Sequence, residues 1–273
     1  MRKFCSIVMF SAIATIAQAA LITDNLAVHF DASSGALSNE AGGVYRWEDQ
    51  SNLGGMQIAG NGTASKQPIF VQNAIGDKAA VRFDGIDDWL VMNDNFSNNE
   101  LDTDTISFFI VFKSDLESTQ SIARAKTSFH SSHWGAYYDG SSKLIWHSRD
   151  NALGFVGAGN VLSDSGFENG FYIFTGIWYE NDVVASRLNM ETGTGKAGAN
   201  SPSGTFTKML LGTNTSVNGE YFKGDIAEIL IYNTALENTD RDSVESYLYN
   251  KYVPEPATIA LFGLGLVTLF KRK

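Results

Sequence analysis

The sequence predicts an all-β domain, built as a two-sheet antiparallel sandwich with one short helix near its C-terminal end. Three observations lead there. Apolar runs are short, rich in Phe, Ile, Val and Tyr, and separated by Gly, Asn, Asp and Ser. Turn dipeptides recur between them, at Asp84-Gly85, Asp139-Gly140 and Asn218-Gly219. No exact internal repeat is visible, which disfavours a propeller or solenoid and leaves two packed sheets to bury the strands.

At the start, Arg2 and Lys3 form a positive n-region, Phe4 to Ile16 an apolar stretch, and Ala17-Gln18-Ala19 a small-x-small cleavage site. Residues 1–19 therefore read as a secretory signal peptide, addressed to the Sec translocon and removed by signal peptidase, with Ala20 opening the mature chain. Cys5 is the only cysteine and leaves with this segment, so the domain over 20–252 has neither a disulfide nor thiol catalysis. The whole chain carries 20 Lys and Arg against 30 Asp and Glu, a net charge of −10. Its two ends, 1–19 and 253–273, hold five of the basic side chains and one of the acidic ones, so the domain between them stands at −14. Such a balance excludes nucleic acid as the expected partner.

Within the domain, Leu26 to Phe30, Ala79 to Phe83, Ile106 to Phe112, Tyr172 to Tyr179 and Ile226 to Tyr232 read as strands. The near-continuous apolar run from Ile106 to Phe112 is the pattern of a strand covered on both faces. Thr239-x-x-Asp242 resembles a capping box with Asp in place of Glu, and Val244, Tyr247, Leu248 and Tyr252 follow at helical spacing. These residues predict a short helix packed on the sandwich, with Asp240, Arg241, Glu245 and Lys251 at its other positions.

The chain closes with Val253-Pro254-Glu255-Pro256, an uncharged apolar run from Ala257 to Phe270, and Lys271-Arg272-Lys273. The prolines enforce an extended spacer. The 14-residue run spans roughly 21 Å as a helix against a hydrocarbon core of about 30 Å, and Gly263 and Gly265 weaken it. A segment that halts translocation yet holds the membrane weakly suits a transient station before processing. This tripartite tail resembles the PEP-CTERM sorting signal of Gram-negative bacteria. The resemblance implies recognition through Val253, Pro254, Glu255 and Pro256 with the basic end Lys271, Arg272 and Lys273, and processing by an exosortase, a membrane cysteine protease-transpeptidase. It also implies a transient stay in the inner membrane before the cell surface or extracellular matrix.

Three further segments resemble the LamG-like group of concanavalin A-type jelly rolls. They are His29-Phe30-Asp31-Ala32-Ser33-Ser34-Gly35 with Trp47-Glu48-Asp49-Gln50-Ser51, then Val81-Arg82-Phe83-Asp84-Gly85-Ile86-Asp87-Asp88-Trp89-Leu90, then Gly224-Asp225-Ile226-Ala227-Glu228-Ile229-Leu230-Ile231-Tyr232-Asn233. The resemblance specifies the sandwich as a jelly roll. The group includes sugar binders, adhesion modules and proteins without a known ligand, so it speaks to fold more than to function.

Three groups of residues could carry chemistry. Asp84, Asp87 and Asp88 bracket a turn and could hold Ca²⁺, the one cofactor indicated, through hard oxygen ligands; the same residues are equally good turn formers. Asp94, Asp102 and Asp104 crowd an oxygen-dense stretch that lacks EF-hand spacing and also reads as an acidic surface loop. His130, His133, Trp134, Tyr137, Tyr138 and Trp146, with His147, could stack on sugar rings or pack as a hairpin into the core. His130-x-x-His133 lacks the Glu-containing zinc-protease motif.

No catalytic residue is assigned. The Glu-x-Asp-x-x-Glu strand of jelly-roll hydrolases is absent, as are a nucleophile elbow and a phosphate loop. Tyr221-Phe222-Lys223-Gly224 resembles a fragment of the alginate-lyase signature without the strands that complete it. The expectation is an exported, exosortase-sorted, non-catalytic glycan- or matrix-binding module associated with exopolysaccharide or biofilm. A polysaccharide-degrading hydrolase or lyase on the same fold, and a protein-adhesion module without a sugar ligand, are the alternatives.

Overall fold

The strand from Ile106 to Ser114 sets the architecture. Every residue from Ile106 to Phe112 is fully buried. Phe108, Ile110 and Phe112 point into the space between two sheets, while Phe109 and Val111 point the opposite way, under a helix. The period-two pleat thus accounts for an apolar run with no polar face.

The structure is a computed structural model that describes residues 19–51, 58–93, 101, 103, 105–114, 118–127, 133–141, 143–150, 154–161, 170–180, 183–193, 196–197, 205–214 and 216–253. Among these the first half of the chain supplies β1 (Leu26–Asp31), β2 (Ala36–Ser38), β3 (Val44–Glu48), β4 (Ile58–Gly60), β5 (Ile69–Ile75), β6 (Lys78–Asp84), β7 (Leu90–Asn93), β8 (Ile106–Ser114) and β9 (Gln120–Thr127). The second half supplies β10 (His133–Tyr138), β11 (Lys143–Asp150), β12 (Gly154–Val161), β13 (Tyr172–Tyr179), β14 (Val183–Leu188), β15 (Glu191–Thr192), β16 (Lys196–Ala197), β17 (Phe206–Leu211) and β18 (Lys223–Tyr232). A single helical turn, α1 (Ala32–Gly35), follows β1, and α2 (Asn238–Tyr252) follows β18.

The strands form two antiparallel sheets. The first runs β15-β14-β13-β8-β18-β6-β5, with β1 on β18 and β16 on β14; the second runs β12-β11-β10-β9-β17-β7-β4-β3-β2. At the centre of each sheet the neighbours are distant in sequence, β13-β8-β18-β6 in the first and β9-β17-β7 in the second, as in a jelly roll rather than a meander. The five predicted strands are all present: Tyr172–Tyr179 has the bounds read from the sequence, and the other four extend by one to three residues. Asp84-Gly85 and Asp139-Gly140 are tight turns, with φ of 80° and 81° at their glycines. Asn218-Gly219 instead lies within the longer β17–β18 connection, where Asn214 Oδ1 accepts from the Ser216 and Asn218 amides.

Side chains from both sheets fill the interior. Phe30 packs on Trp47 at 5.5 Å between ring centroids, and Phe108 stacks on Trp146 at 5.2 Å. Gly176 is a packing requirement, since a Cβ there would lie 2.2 Å from the Trp146 ring. A second apolar layer joins the outer face of the first sheet to α2 through Phe109, Val111, Leu230, Val244, Leu248 and Tyr252.

The helix departs from the sequence reading in two ways. It begins at Asn238 after Glu237, which makes no side-chain cap, so Thr239 is inside the helix and the capping box does not form. Asp242 instead accepts from Arg187 of β14 at 2.9 Å. Glu245, expected at a polar position, is fully buried and accepts from the Thr175 hydroxyl at 2.6 Å, with Arg187 3.0 Å from its other oxygen.

Among the described residues no helix is long and apolar enough to cross a membrane. The signal segment up to residue 18 and the tail from 254 onward lie outside the described residues.

Candidate functional site

Strand alternation divides the aromatic group that the sequence places together. On β10 and β11 the inward positions hold Trp134, Ala136, Leu144 and Trp146, all in the sandwich core. Tyr138, paired with Leu144, has the same parity and is buried. Trp134 is only 2% exposed and Trp146 1%, so neither ring faces solvent. The outward positions hold His133, Gly135, Tyr137, Ile145, His147 and Arg149. His130 lies outside the described residues.

The outward set is built around His147. Its neighbours directly across on both flanking strands are glycines, Gly135 on β10 and Gly157 on β12. That leaves room for the imidazole to lie low on the sheet, between His133 and Tyr137, each 5.1 Å away between ring centroids. A Cβ at Gly135, where φ is 154°, would come within 2.1 Å of the Ala123 carbonyl oxygen, so only glycine fits this close approach. Burial, then the charges of Arg124 and His133, push the His147 pKa well below the ordinary imidazole range and keep the ring neutral.

Arg124 of β9 completes the patch. Its guanidinium lies 4.9 Å from the centre of the Tyr137 ring and pairs with Glu220 at 2.8 Å. Ser121 donates to the same Glu220 carboxylate at 2.6 Å. Burial raises the Tyr137 pKa, with Arg124 acting in the opposite sense, so the phenol stays protonated at neutral pH and serves as a donor. His147 is only 1% exposed, so the half-buried Tyr137 phenol and the edge of the Arg124 guanidinium are the groups on this face that can hydrogen-bond hydroxyl and carboxylate groups, with the phenol ring offering its edge to a sugar.

Arg124 and Glu220 escaped the sequence reading because their partners come from strands far away in the chain. The available signal was period-two: Arg124-x-Lys126 and His147-x-Arg149 place cations on alternate positions of otherwise apolar strands.

The acidic turn forms as expected locally. One oxygen from each of Asp84, Asp87 and Asp88 lies within 4.8 Å of the others, a spacing compatible with shared coordination of a divalent cation. The turn already uses these oxygens. Asp84 Oδ1 accepts from the Ile86 and Asp87 amides, and Asp88 Oδ2 accepts from the Asp84 amide. Burial and the neighbouring Asp84 charge push the Asp88 pKa up to about 6. Beside the turn opens a cleft of about 320 Å³ lined by Arg82, Asp84, Asp88, Lys113, Lys223 and Asp225. Within it Arg82 and Asp225 form a two-pronged pair at 2.7 and 2.9 Å. Asp94, Asp102 and Asp104 lie outside the described residues.

A third cluster, unanticipated from the sequence, sits between β1, β18 and the end of α2. A β-bulge between Ile226 and Glu228 sends Glu228 toward the helix, opposite Asp31. Its carboxylate meets His29 Nε2 at 2.8 Å, Lys251 Nζ at 2.8 Å and the Tyr252 hydroxyl at 2.9 Å. Lys251 also donates to Asp31 at 2.8 Å. His29, Asp31 and Glu228 are close enough to hold a metal, but the Lys251 ammonium already stands between the two carboxylates as the cation. The cluster reads as the fastening of α2.

Comparison with known proteins bears on the C-terminal tail and on the fold. The PEP-CTERM protein-sorting motif matches residues 253–273. The chain is therefore an exported protein targeted by exosortase, its processing partner, and the motif directs sorting to the cell surface. A search of curated proteins finds no match. Among solved structures, the binding domain of botulinum neurotoxin serotype G is similar at a TM-score of 0.60 and 12% identity, over 82% of this chain and 51% of that one. The receptor-binding domain of botulinum neurotoxin mosaic serotype C/D gives 0.59 and 14%, over 82% and 51%. The sialidase of Trypanosoma rangeli in complex with DANA gives 0.53 and 12%, over 81% and 32%. The chain spans between about a quarter and about half the length of such matched chains, and at these identities the likeness concerns the β-sandwich fold.

Proposed function

We propose that the sandwich over 20–252 is a non-catalytic module that binds glycan or matrix polymer on the outer face of its second sheet. Residues 1–19 serve as a signal peptide for the Sec translocon and signal peptidase. The tail over 253–273 holds the chain transiently in the inner membrane of a Gram-negative bacterium before the protein reaches the surface or an exopolysaccharide matrix. The observation that carries the reading is the grouping of Tyr137, His133, His147 and Arg124 on one outward sheet face, with the guanidinium 4.9 Å from the phenol ring centre. The burial of Trp134, Tyr138 and Trp146, and of His133 at 9% exposure, leaves the half-buried Tyr137 as the aromatic of this group proposed for sugar contact.

The test is size-exclusion chromatography of the exported protein mixed with a panel of intact neutral and anionic polysaccharides. Co-elution with polymer, weakened severalfold by Tyr137→Ala, is the expected result. Running the panel with Ca²⁺ and then a chelator asks whether Asp84, Asp87 and Asp88 contribute a metal. No co-elution across the panel would leave a structural or protein-adhesion role in first place.

A polysaccharide-cleaving enzyme is the second reading. It is favoured by one feature, the neutral His147 imidazole beside the Tyr137 phenol, two groups able to move protons, although His147 at 1% exposure could act only through Tyr137. The upward pKa shift of Tyr137 works against the phenol as a base. A polymer that shortens during the same experiment would promote this reading.

A further inference from the structure

An acidic protein has gathered cations on one face. On the outer side of the second sheet, Lys208 of β17 stands opposite Lys126 of β9, Lys126 opposite His133 of β10, and His133 opposite Arg149 of β11. At a strand spacing of about 4.8 Å this row extends over about 14 Å, perpendicular to the strands. Arg124 lies two residues from Lys126 on the same face, next to Tyr137 and His147.

Like charges directly across neighbouring strands destabilise a sheet. Arg124 is relieved by Glu220, but Lys126, Lys208 and Arg149 have no ion pair with a carboxylate among the described residues. The chain is not short of carboxylates, with 30 Asp and Glu against 20 Lys and Arg. Among the described residues no acidic side chain stands on this row, while the cations are aligned along it. That arrangement is complementary to a partner that supplies the negative charge itself.

We propose that the row Lys208–Lys126–His133–Arg149 is the docking line for an acidic polysaccharide, one carrying carboxylate or sulfate groups along its length. The inference rests on the glycan-binding reading and names the ligand class. A linear polyanion laid across the strands meets the cations in succession, while Tyr137, four residues along β10 from His133 on the same face, offers its half-buried ring to a flanking sugar unit. A duplex nucleic acid suits the face less well, because the net −14 of the domain repels a densely charged rod more than a polymer with charges spaced along sugar units.

Affinity electrophoresis of the full exported protein tests this, in gels containing alginate (a polyuronate), dextran sulfate or neutral dextran. The expected result is retardation by alginate or dextran sulfate and not by neutral dextran, weakening as ionic strength rises. The double variant Lys126→Glu/Lys208→Glu loses about tenfold or more in apparent affinity, and Lys126→Gln/Lys208→Gln loses less. An unchanged thermal midpoint in both variants confirms that the fold is kept. Retardation by neutral dextran equal to that by alginate, and indifferent to charge reversal, overturns the inference while leaving glycan binding standing. Retardation by none of the polymers overturns both. Tighter binding of duplex DNA than of alginate at equal ionic strength also overturns it.

Discussion

At Asp88 the fold and the solvent compete for one proton. The side chain is only 6% exposed and its pKa is pushed up to about 6, by burial first and by the Asp84 charge second. A carboxyl whose folded pKa lies above its unfolded value takes up protons more readily when folded. Its contribution to stability is complete below the unfolded value of about 3.8 and is lost as pH rises through about 6. Asp88→Asn keeps an acceptor for the Asp84 amide and removes the charge. Relative to the parent, the variant should gain in thermal midpoint at pH 7 and show no gain at pH 4; equal shifts at both pH values would contradict this origin. The Asp84-Gly85 turn was legible because its chemistry is local, spanning Asp84 to Asp88. The raised pKa was not legible, because burial is set by strands that the sequence does not show side by side.

The element most dependent on unseen partners is α2. Its apolar positions Val244, Leu248 and Tyr252 follow helical spacing and were readable. Lys251 has the composition of a solvent-facing residue, yet its partner Asp31 lies 220 positions away and Glu228 comes from a bulged strand. Burial alone would lower the Lys251 pKa; the Glu228 and Asp31 carboxylates outweigh it and raise the pKa above the ordinary lysine range. Lys251→Met removes the cation and leaves two carboxylates buried together. It should destabilise the domain by about 3–5 kcal/mol, measured by urea unfolding, and more than Lys251→Arg does. A loss below about 1 kcal/mol would mean that water already reaches the cluster. β8 is the opposite case. A run of seven residues with no polar face states its double burial outright, whereas the outward cationic row depends on register across four strands and becomes visible only when they are paired.

At the scale of the whole molecule, the sandwich and the sorting tail share one junction. The tail was legible because its message is linear: two prolines, an apolar run and a basic end, read in order without any fold. Mass spectrometry of the protein recovered from the cell surface should find Lys273 removed; an intact C-terminus would contradict processing at this motif. The junction itself is taut. Tyr252, the last residue of α2, is 1% exposed with its hydroxyl on Glu228, and the Val253 amide donates to the Tyr249 carbonyl at 2.9 Å. The first residue of the sorting motif, Val253, is thus held on the final turn of a fastened helix. Lys251 and Tyr252 in that turn are joined through Glu228 and Asp31 to β18 and β1. A pull on the C-terminal end of α2 would therefore be felt first by these buried ion pairs, which join the helix to β1 and β18.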